Sequence, residues 1–397
     1  MPIVETLEGF LLAPTATSVG LYLTMVSGFL RGMAQRSPPK KAGRRPLVSI
    51  LKPLAGLDDE LAENLASFAA LDYPAFEILF GVASLEDPAC AVARTFLRQY
   101  PQIKARLIVT NRDEAKNPKV AQLLALERAA RGEIVVVSDS NVRVLPNYLE
   151  PLVAELCQPG VALVSSLVAG SGEQTFGAAL ENLQLGALVA PGIVASAHMT
   201  GRVITVGKSM AMWREPLHRV GGFARVANLL GEDHMLGRVF DKAGYGVRLS
   251  LAPVANRNVT CSFRRTVERH TRWAKLRRAI VPFGFAVEPT LSPVLVSTVS
   301  YVIAPCRATC AAFAAALLLQ TIGAYVTTRV LRGRSPSWHW VPLELLRAYL
   351  CFFCWLRACA SKRVSWRGHD FELARDSAIV PAEPSVWTRL RTLVRAA

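Results

Sequence analysis

The segment "GEIVVVSDSNVRV", residues 132–144, decides the fold of this 397-residue chain. Its β-branched run from Ile134 to Val137 contains no polar side chain and stops at Ser138 and Asp139. An unbroken apolar run is typical of a parallel strand that is buried on both faces of a sheet. Ligands of such sheets bind just beyond the carboxyl ends of the strands. We therefore expect Asp139 to point into a binding cleft.

Strand-like and helix-like segments alternate before this strand. The apolar stretches "PLVSILKPL", "FEILFGVAS" and "ARLIVT" read as strands, and residues 59–71 and 89–99 between them have helical spacing. A further helix is expected over 117–132, with Asn117 as its N-cap, Pro118 at its first position and Gly132 at its end. This alternation predicts an α/β domain with a mostly parallel, Rossmann-like sheet over residues 46–285.

An uncharged segment, residues 9–30, precedes this domain and is long enough to cross a bilayer, which needs ~20 residues. A signal peptide is the alternative, but here the basic residues follow the apolar run instead of preceding it. We therefore predict an uncleaved anchor over 1–30 and a basic linker over 31–45. The positive-inside rule places this linker in the cytoplasm. Its basic residues are Arg31, Arg36, Lys40, Lys41, Arg44 and Arg45.

The C-terminal third is apolar again, and residues 286–360 are predicted to form membrane segments. Residues 290–306 and 308–328 suit two spans, whereas Glu344 and Arg347 interrupt the apolar run at 341–359. Charges at the bilayer centre are costly, so this last segment suits an interfacial or re-entrant helix. Residues 361–397 are predicted to be a cytoplasmic tail. The chain is thus expected to be a multi-pass membrane protein. Its alanine- and arginine-rich composition indicates a bacterium with GC-rich DNA, so we expect the membrane to be a bacterial inner membrane.

Composition restricts the possible partners. The net charge of +16 fits nucleic acid, anionic lipid or phosphorylated substrates equally well. The chain has no zinc-knuckle spacing, RNA-binding signature or basic low-complexity tail, so we do not expect nucleic acid as a partner. The eight cysteines form no paired framework, and we expect them to be reduced. Cys351 and Cys354 have CxxC spacing but no second pair, so we interpret them as packing residues in an apolar helix.

Two acidic corners follow predicted strands, at Glu86–Asp87 and at Asp139. Carboxylates there can hold the ribose or base of a nucleotide sugar, and a divalent cation on its diphosphate. Ordinary capping and turn formation is the alternative. A third acidic pair, Glu232 and Asp233, stands at the N-terminus of a predicted helix, which favours a charged carboxylate. Such a carboxylate is suited to act as a general base, and simple helix capping is again the alternative.

The segment "RRTVERHTRWAKLRR", residues 264–278, places Arg269, Arg272 and Trp273 on one face of a predicted helix. Two guanidinium groups there can neutralise a leaving diphosphate, and the indole can pack against the acceptor or the sugar. A basic, Trp-bearing helix on the membrane surface is the alternative. The segment "GRVITVGKS" has five residues between its first two glycines, where a phosphate loop has four, so we do not read it as one.

This ordered set of motifs resembles the processive and lipid-modifying glycosyltransferases of the GT-A fold. More narrowly, it resembles the ceramide glucosyltransferase family over residues 48–278 and again near the C-terminus. The matching stretches are "VSILKPLAGLD", "NLASFAALDYPAFEILF", "EDPA", "NPKVAQL", "SDSNVRV", "GEDHMLGRVFDKAGY", "RHTRWAKLR" and "VSWRG". Two positions depart from the pattern: Asn141 replaces a second aspartate after Asp139, and Ala190 stands where that family often has a histidine.

The resemblance implies specific roles for the matching residues. Asp87 would contact the nucleotide, Lys119 would help to hold the donor phosphates, and Asp139 would hold the metal and the diphosphate. Asp233 would be the catalytic base. The terminal motif of the family would consist of Arg269, Arg272 and Trp273.

The resemblance also implies the reaction. A membrane-bound, inverting enzyme would transfer glucose from UDP-glucose to the primary hydroxyl of ceramide, with Mg²⁺ or Mn²⁺ as cofactor. The alternatives are a hopanoid-associated or other lipid glycosyltransferase using UDP-N-acetylglucosamine or another UDP-sugar, and a non-catalytic scaffold that binds anionic lipid. The scaffold predicts no loss of function on changing Asp139 or Asp233, and lipid binding that weakens with salt. Polysaccharide synthesis would need more spans to form a channel.

Overall fold

The computed structural model describes residues 2–36, 43–366 and 369–382. Its strands are β1 Val48–Pro53, β2 Phe76–Val82, β3 Ala105–Val109, β4 Ile134–Ser138, β5 Val142–Arg143, β6 Val161–Ser171, β7 Ser209–Trp213, β8 Gly246–Arg257, β9 Arg363–Trp366, β10 His369–Leu373 and β11 Ile379–Pro381. The predicted linker lysines Lys40 and Lys41, the last two residues of "VSWRG" and tail residues 383–397 lie outside the described residues.

Helices cover both faces of the sheet and continue into an apolar bundle. They are α1 Pro2–Ala34, α2 Leu61–Ala66, α3 Pro88–Gln99, α4 Pro118–Ala129, α5 Leu149–Leu156, α6 Phe176–Gln184, α7 Ala190–Thr200, α8 Arg214–Arg219, α9 Glu232–Lys242, α10 Phe263–Ile280, α11 Pro282–Val287, α12 Pro293–Ile303, α13 Arg307–Arg332 and α14 Glu344–Ala360.

The central sheet has eight strands in the order β3-β2-β1-β4-β7-β6-β8-β5. Strands β1 to β4 run parallel, which confirms the sheet predicted from the sequence. Strand β7 pairs antiparallel with both β4 and β6, so the sheet as a whole is mixed. The register between β4 and β7 pairs Ser138 with Ser209, and this brings the loop before β7 to the carboxyl end of β4.

The apolar run in β4 is buried on both faces, as its sequence predicts. Ile134 and Val136 pack into one core cluster, and Val135 and Val137 pack into a second. All four side chains are fully buried. Because successive strand residues point to opposite faces, this strand needs an apolar side chain at every position.

Helix α4 begins as predicted and ends earlier than predicted. The Asn117 side chain accepts hydrogen bonds from the backbone N–H groups of Lys119 and Val120, and Pro118 occupies the first position. The helix ends at Ala129, so the predicted end at Gly132 is wrong. Gly132 has a different role, because a Cβ there would lie 2.5 Å from the backbone nitrogen of Ser49. The glycine permits close approach of the chain to β1.

Two helical segments in the described part of the chain are long and apolar enough to cross a membrane: Phe176–Thr200, which joins α6 to α7, and α13. The count rises to three if the bent pair Pro282–Leu291 and Pro293–Ile303 forms one span. The first of these helices lies mostly inside the protein, whereas α13 is largely open. Helix α1 is not among them, so the N-terminal anchor stays a prediction. Helix α1 packs against α7, α12 and α13.

The charges of α14 lie inside the helical bundle. Arg347 forms a buried ion pair with Glu344, whose Oε1 also accepts a 2.7 Å hydrogen bond from Gln320 of α13. A second contact joins Arg347 to Gln184 of α6. The two charges that interrupt the apolar sequence are therefore paired with each other and with buried amides.

The described part of the predicted tail folds onto the domain. Strands β9, β10 and β11 form an antiparallel sheet, and its apolar face packs on Leu230 and on α10. Ser377 is fully buried, with its backbone in the left-handed region at a φ of 64°. Its hydroxyl accepts a hydrogen bond from the backbone N–H of Gly231, and its carbonyl accepts one from Leu230. This small sheet therefore holds the segment that leads into α9.

Candidate active site

Asp139 lies directly after β4 and is paired with two lysines. Its Oδ1 lies 2.8 Å from the ammonium of Lys119, and its Oδ2 lies 3.1 Å from that of Lys208. Burial alone would raise the pKa of Asp139, but the two ammonium groups outweigh burial and hold this pKa well below its usual range. The carboxylate is therefore charged at neutral pH and lies at the carboxyl edge of the sheet, where the sequence predicts a ligand.

Lys119 joins Asp139 to the acidic pair at the start of α9. Its ammonium lies 3.0 Å from Glu232 and donates a 3.3 Å hydrogen bond to the carbonyl of Gly207. Burial lowers the pKa of Lys119, but Asp139, Glu232 and Asp233 together raise it above its usual value. The structure thus brings together three predicted site residues: Lys119, Asp139 and Asp233.

Asp233 is held by the loop that precedes β7. Its Oδ2 accepts a 2.6 Å hydrogen bond from the backbone N–H of Gly207. Its backbone carbonyl accepts one from the hydroxyl of Thr205. The side chain is only partly buried, so a ligand can reach it. This carboxylate is fixed in place and accessible, as a general base must be.

The neighbouring Glu232 has a different environment. It is 8% exposed, and its Oε2 accepts a hydrogen bond from the Asn117 amide. Burial and the charge of Asp233 raise the pKa of Glu232, while Lys119 opposes the rise. Glu232 therefore ties the start of α9 to the start of α4, and Asp233 is the acid of the pair that faces outward.

Lys52, at the carboxyl end of β1, lies beneath this cluster. Its fully buried ammonium donates to the carbonyl of Asp139 at 2.8 Å and lies 4.0 Å from the ring centroid of Phe68. Burial, helped by the charge of Lys208, lowers the pKa of Lys52 to about 7, although the charges of Asp139 and Asp58 oppose the shift. A cation that titrates near neutral pH thus supports the Asp139 backbone.

Asp87 does not join the lysine cluster. Its Oδ1 accepts hydrogen bonds from the backbone N–H groups of Ala89 and Gly56, each at 2.9 Å, so it caps α3 and holds the loop after β1. The same loop reaches β4 because Asp58 is hydrogen-bonded to Ser140. Asp87 and Asp139 therefore lie on either side of one loop, and the nucleotide contact of Asp87 stays a prediction.

The predicted motif on α10 is divided among three environments. Arg269 is partly buried and forms an ion pair with the buried Glu181 of α6. The guanidinium of Arg272 lies 5.9 Å from the ring centroid of Trp366 in β9. Trp273 packs against the first core cluster and makes an edge-to-face contact with His270. Arg269 thus has a carboxylate partner already, and the donor and leaving-group roles of this motif stay predictions.

The acidic groups suit a metal only if the substrate completes the site. Within the described residues no three His, Cys, Asp or Glu side chains are grouped closely enough to hold a metal ion. Asp139 is the carboxylate at the sheet edge, and both of its oxygens contact lysines. Mg²⁺ commonly binds one or two carboxylates together with substrate phosphates. Asp139 fits a site of that kind, in which a diphosphate supplies the remaining ligands.

Three residues of the cluster were not among the sequence predictions: Lys52, Lys208 and Glu232 as a partner of Lys119. Lys208 belongs to "GRVITVGKS", which leads into strand β7 and not into a helix. Its ammonium contacts Asp139 and donates a 2.7 Å hydrogen bond to Asn141. Lys52 lies in "VSILKPLAGLD", one of the stretches that carry the resemblance. The glycine-lysine pair directly before a strand was the available signal for Lys208.

This mixed sheet with a charged cluster at its carboxyl edge is the architecture of a GT-A glycosyltransferase. The structure is similar to that of mannosyltransferase PcManGT from Pyrobaculum calidifontis, which was solved in complex with GDP-Man and Mn²⁺. That likeness covers 88% of this chain and 99% of the other, with a TM-score of 0.50 and 20% identity.

Residues 11–379 match the model of glycosyl transferase family 21, and the chain belongs to this family. It is 27% identical over 350 residues to ceramide glucosyltransferase 3 of Caenorhabditis elegans, covering 86% of this chain and 76% of that protein. It is 30% identical over 245 residues to ceramide glucosyltransferase 1 of the same organism, covering 62% of this chain and 52% of the relative. The protein is therefore a glycosyltransferase, as its motifs predict.

Proposed function

We propose that this enzyme transfers glucose from UDP-glucose to the primary hydroxyl of ceramide and forms glucosylceramide with inversion at the anomeric carbon. Membership of family 21 and the ceramide glucosyltransferase names of its relatives support this substrate pair. The observation that carries the proposal is the position of Asp233, which lies beside the Asp139 and Lys119 pair at the carboxyl edge of the sheet.

The donor diphosphate would bind at the lysine cluster. Lys119 and Lys208 converge on Asp139 from two different elements, so both are placed to contact phosphate oxygens. Mg²⁺ or Mn²⁺ held by Asp139 would add Lewis-acid stabilisation of the diphosphate, and the Mn²⁺ complex of PcManGT supports this expectation. Asp87, on the other side of the loop after β1, is assigned to the nucleotide.

Asp233 would accept the proton of the acceptor hydroxyl. As the hydroxyl oxygen forms a bond to the anomeric carbon, the bond from that carbon to the diphosphate oxygen breaks, and UDP leaves with the electron pair. Attack on the face opposite the leaving group inverts the configuration. We assign Arg272 to charge stabilisation on the leaving diphosphate, Arg269 to the support of that helix and the donor, and Trp273 to packing at the sugar or acceptor.

A lipid acceptor requires access from a membrane. Helices α11 to α14 leave large apolar side chains on their outer surfaces, among them Phe283, Val302, Ile303, Leu318 and Phe353. Lipid would solvate this surface, and α10 joins it to the catalytic domain through its packing on α14. The basic residues after α1 support a cytoplasmic location of the catalytic domain at a bacterial inner membrane.

A product assay tests the proposal. The full chain, purified in detergent with Mg²⁺ or Mn²⁺, receives a panel of UDP-sugars and lipids, and the lipid extract is analysed by mass spectrometry. Asp233→Asn should abolish transfer and preserve UDP-glucose binding, because the amide oxygen can still accept from the Gly207 N–H but is not basic. Asp241→Asn, an exposed change near the other end of α9, is the matched control and should leave transfer intact.

The products separate the alternatives. A hexosylceramide that forms in the parent and the control but not in Asp233→Asn supports the full assignment. A glycosylated hopanoid, or transfer of N-acetylglucosamine, would replace the proposed substrates and keep the mechanism. Turnover in Asp233→Asn would remove this residue as the base, and the absence of both transfer and UDP-sugar binding would favour a lipid-binding scaffold.

A further inference from the structure

A second cleft lies outside the candidate active site, where the end of α10, the start of α11, the end of α14 and the C-terminal sheet meet. Its volume is about 420 Å³, within the roughly 300–1,000 Å³ that is typical of ligand sites. None of the residues in the Asp139 cluster lines it. Five cationic side chains and one carboxylate do: Arg238, Lys275, Arg278, Lys362, Arg375 and Asp376.

The positive charge of this cleft is only partly compensated. Asp376 is shared by two arginines: it lies 3.1 Å from Arg238 and 4.0 Å from Arg375. Arg278 donates to the last carbonyl groups of α14, and Lys275 donates to the carbonyl of Arg363. Carbonyl groups satisfy these donors but do not neutralise a full positive charge. Burial lowers the pKa of Lys275, and the nearby Arg357 and Arg278 charges lower it further, which marks a position where an anion would be favourable.

The cleft also adjoins the apolar surface. Pro282 and Ala358 line it, and they belong to α11 and α14, two helices with exposed apolar side chains. Phe283, next to Pro282, is 81% exposed, and Leu356, in the last turns of α14, is 47% exposed. Cationic and apolar surfaces therefore meet at this place. Basic pockets beside membrane helices at the bilayer surface are suited to anionic headgroups.

We propose that this cleft is a binding site for a phosphate group and that the headgroup of an anionic phospholipid supplies it. Guanidinium and ammonium groups from α9, α10 and the residues next to strands β9 and β10 contact the phosphate, and the acyl chains lie along the exposed surface of α11 and α14. Charge-assisted hydrogen bonds to phosphate are among the strongest that side chains make. The lipid source depends on the proposed membrane attachment, but the phosphate site does not depend on the sugar or the acceptor.

The test uses the full chain in neutral detergent micelles, without donor or acceptor. Phosphatidylglycerol or phosphatidylcholine is titrated into the micelles, and bound lipid is counted by native mass spectrometry while thermal unfolding is followed. Inorganic phosphate and pyrophosphate are titrated in parallel. We expect phosphatidylglycerol to bind and to raise the Tm, and Lys275→Gln/Lys362→Gln to weaken this binding at least about tenfold.

Two further variants keep the result interpretable. Lys362→Gln/Arg375→Gln leaves Lys275 and its carbonyl contact intact and should also weaken phosphatidylglycerol binding. Arg94→Gln/Arg98→Gln removes two exposed charges from α3, neither of which lines the cleft, and should bind like the parent.

Equal binding of both lipids, or equal binding of phosphatidylglycerol by all variants, would overturn the proposal. Binding of pyrophosphate without phosphatidylglycerol, weakened by the same variants, would support the phosphate site and overturn the lipid source. Glucosyl transfer is not measured here, so a negative result would leave the proposed reaction standing.

Discussion

Gly207→Ala tests whether the spacing between Lys119 and Asp233 matters for catalysis, without removing either side chain. A Cβ at this position would lie 2.9 Å from Nζ of Lys119 and 3.0 Å from Oδ2 of Asp233. Ordinary contact begins at 3.4 Å, so the two side chains must move by about 0.5 Å. The φ angle of Gly207 is not in the left-handed region, so alanine is permitted by the backbone.

The expected loss follows from this displacement. Misplacement of a catalytic group by about 1 Å can cost about 10²-fold, so we expect kcat/KM to fall roughly 10- to 100-fold. That fall corresponds to about 1.4–2.7 kcal/mol of lost transition-state stabilisation. The backbone N–H of residue 207 remains available to Asp233, so the added methyl group alone causes the effect.

The assay is initial-rate glucosyl transfer across donor concentrations, together with thermal unfolding of each variant. Gly20→Ala is the matched control, since a Cβ at that position of α1 has no heavy atom within 4 Å, and it should leave kcat/KM unchanged. Parental activity in a folded Gly207→Ala protein would show that the arrangement of Lys119 and Asp233 is not catalytic.

Two more predictions concern buried groups. Burial lowers the pKa of His270 to about 3, so the unfolded chain binds a proton that the folded chain does not. Stability should therefore fall as pH drops below about 6.5, by up to about 1.4 kcal/mol per pH unit, and thermal unfolding of His270→Asn should show a flatter pH profile between 7 and 5. Ser377→Gly keeps the left-handed backbone but removes the acceptor for the Gly231 N–H, which should lower the free energy of unfolding by about 1–3 kcal/mol. Because this contact holds the segment before α9, kcat should fall roughly tenfold while KM changes much less. Ser377→Asn, which tolerates that backbone and restores a side-chain acceptor, should recover part of both; an unchanged kcat in Ser377→Gly would limit this residue to a structural role.

The parallel half of the sheet could be predicted because its signals are local. The apolar run of β4 implies burial on both faces, and Asn117 with Pro118 marks the start of α4. The position of β7 could not be predicted, because an antiparallel strand inserted between β4 and β6 depends on tertiary pairing. The end of α4 is not readable for a similar reason, because Gly132 is needed for contact with β1 and does not end the helix.

In the candidate site too, residues marked by local sequence patterns could be predicted, and residues brought in by strand pairing could not. Asp139 directly follows a strand, and Asp233 lies in the first turn of a helix, so the local sequence predicts where each of them lies. Lys208 reaches Asp139 only because Ser209 pairs with Ser138 across the sheet, and Lys52 reaches it only through the register of β1 and β4. Strand register is a long-range property, and single-sequence patterns do not encode it visibly.

The two adjacent carboxylates at the start of α9 can be assigned different roles from their surroundings. Glu232 is buried, and it is bound by both Lys119 and the N-cap Asn117, so it has no free path to an acceptor. Asp233 is partly exposed, and its two carboxylate oxygens accept the backbone N–H groups of Gly207 and His234, which fix its direction. Neighbouring acids with different environments commonly divide structural and proton-transfer roles. The same lysine that pairs with Glu232 also contacts Asp139, so the segment that carries the proposed base is tied directly to the proposed donor subsite.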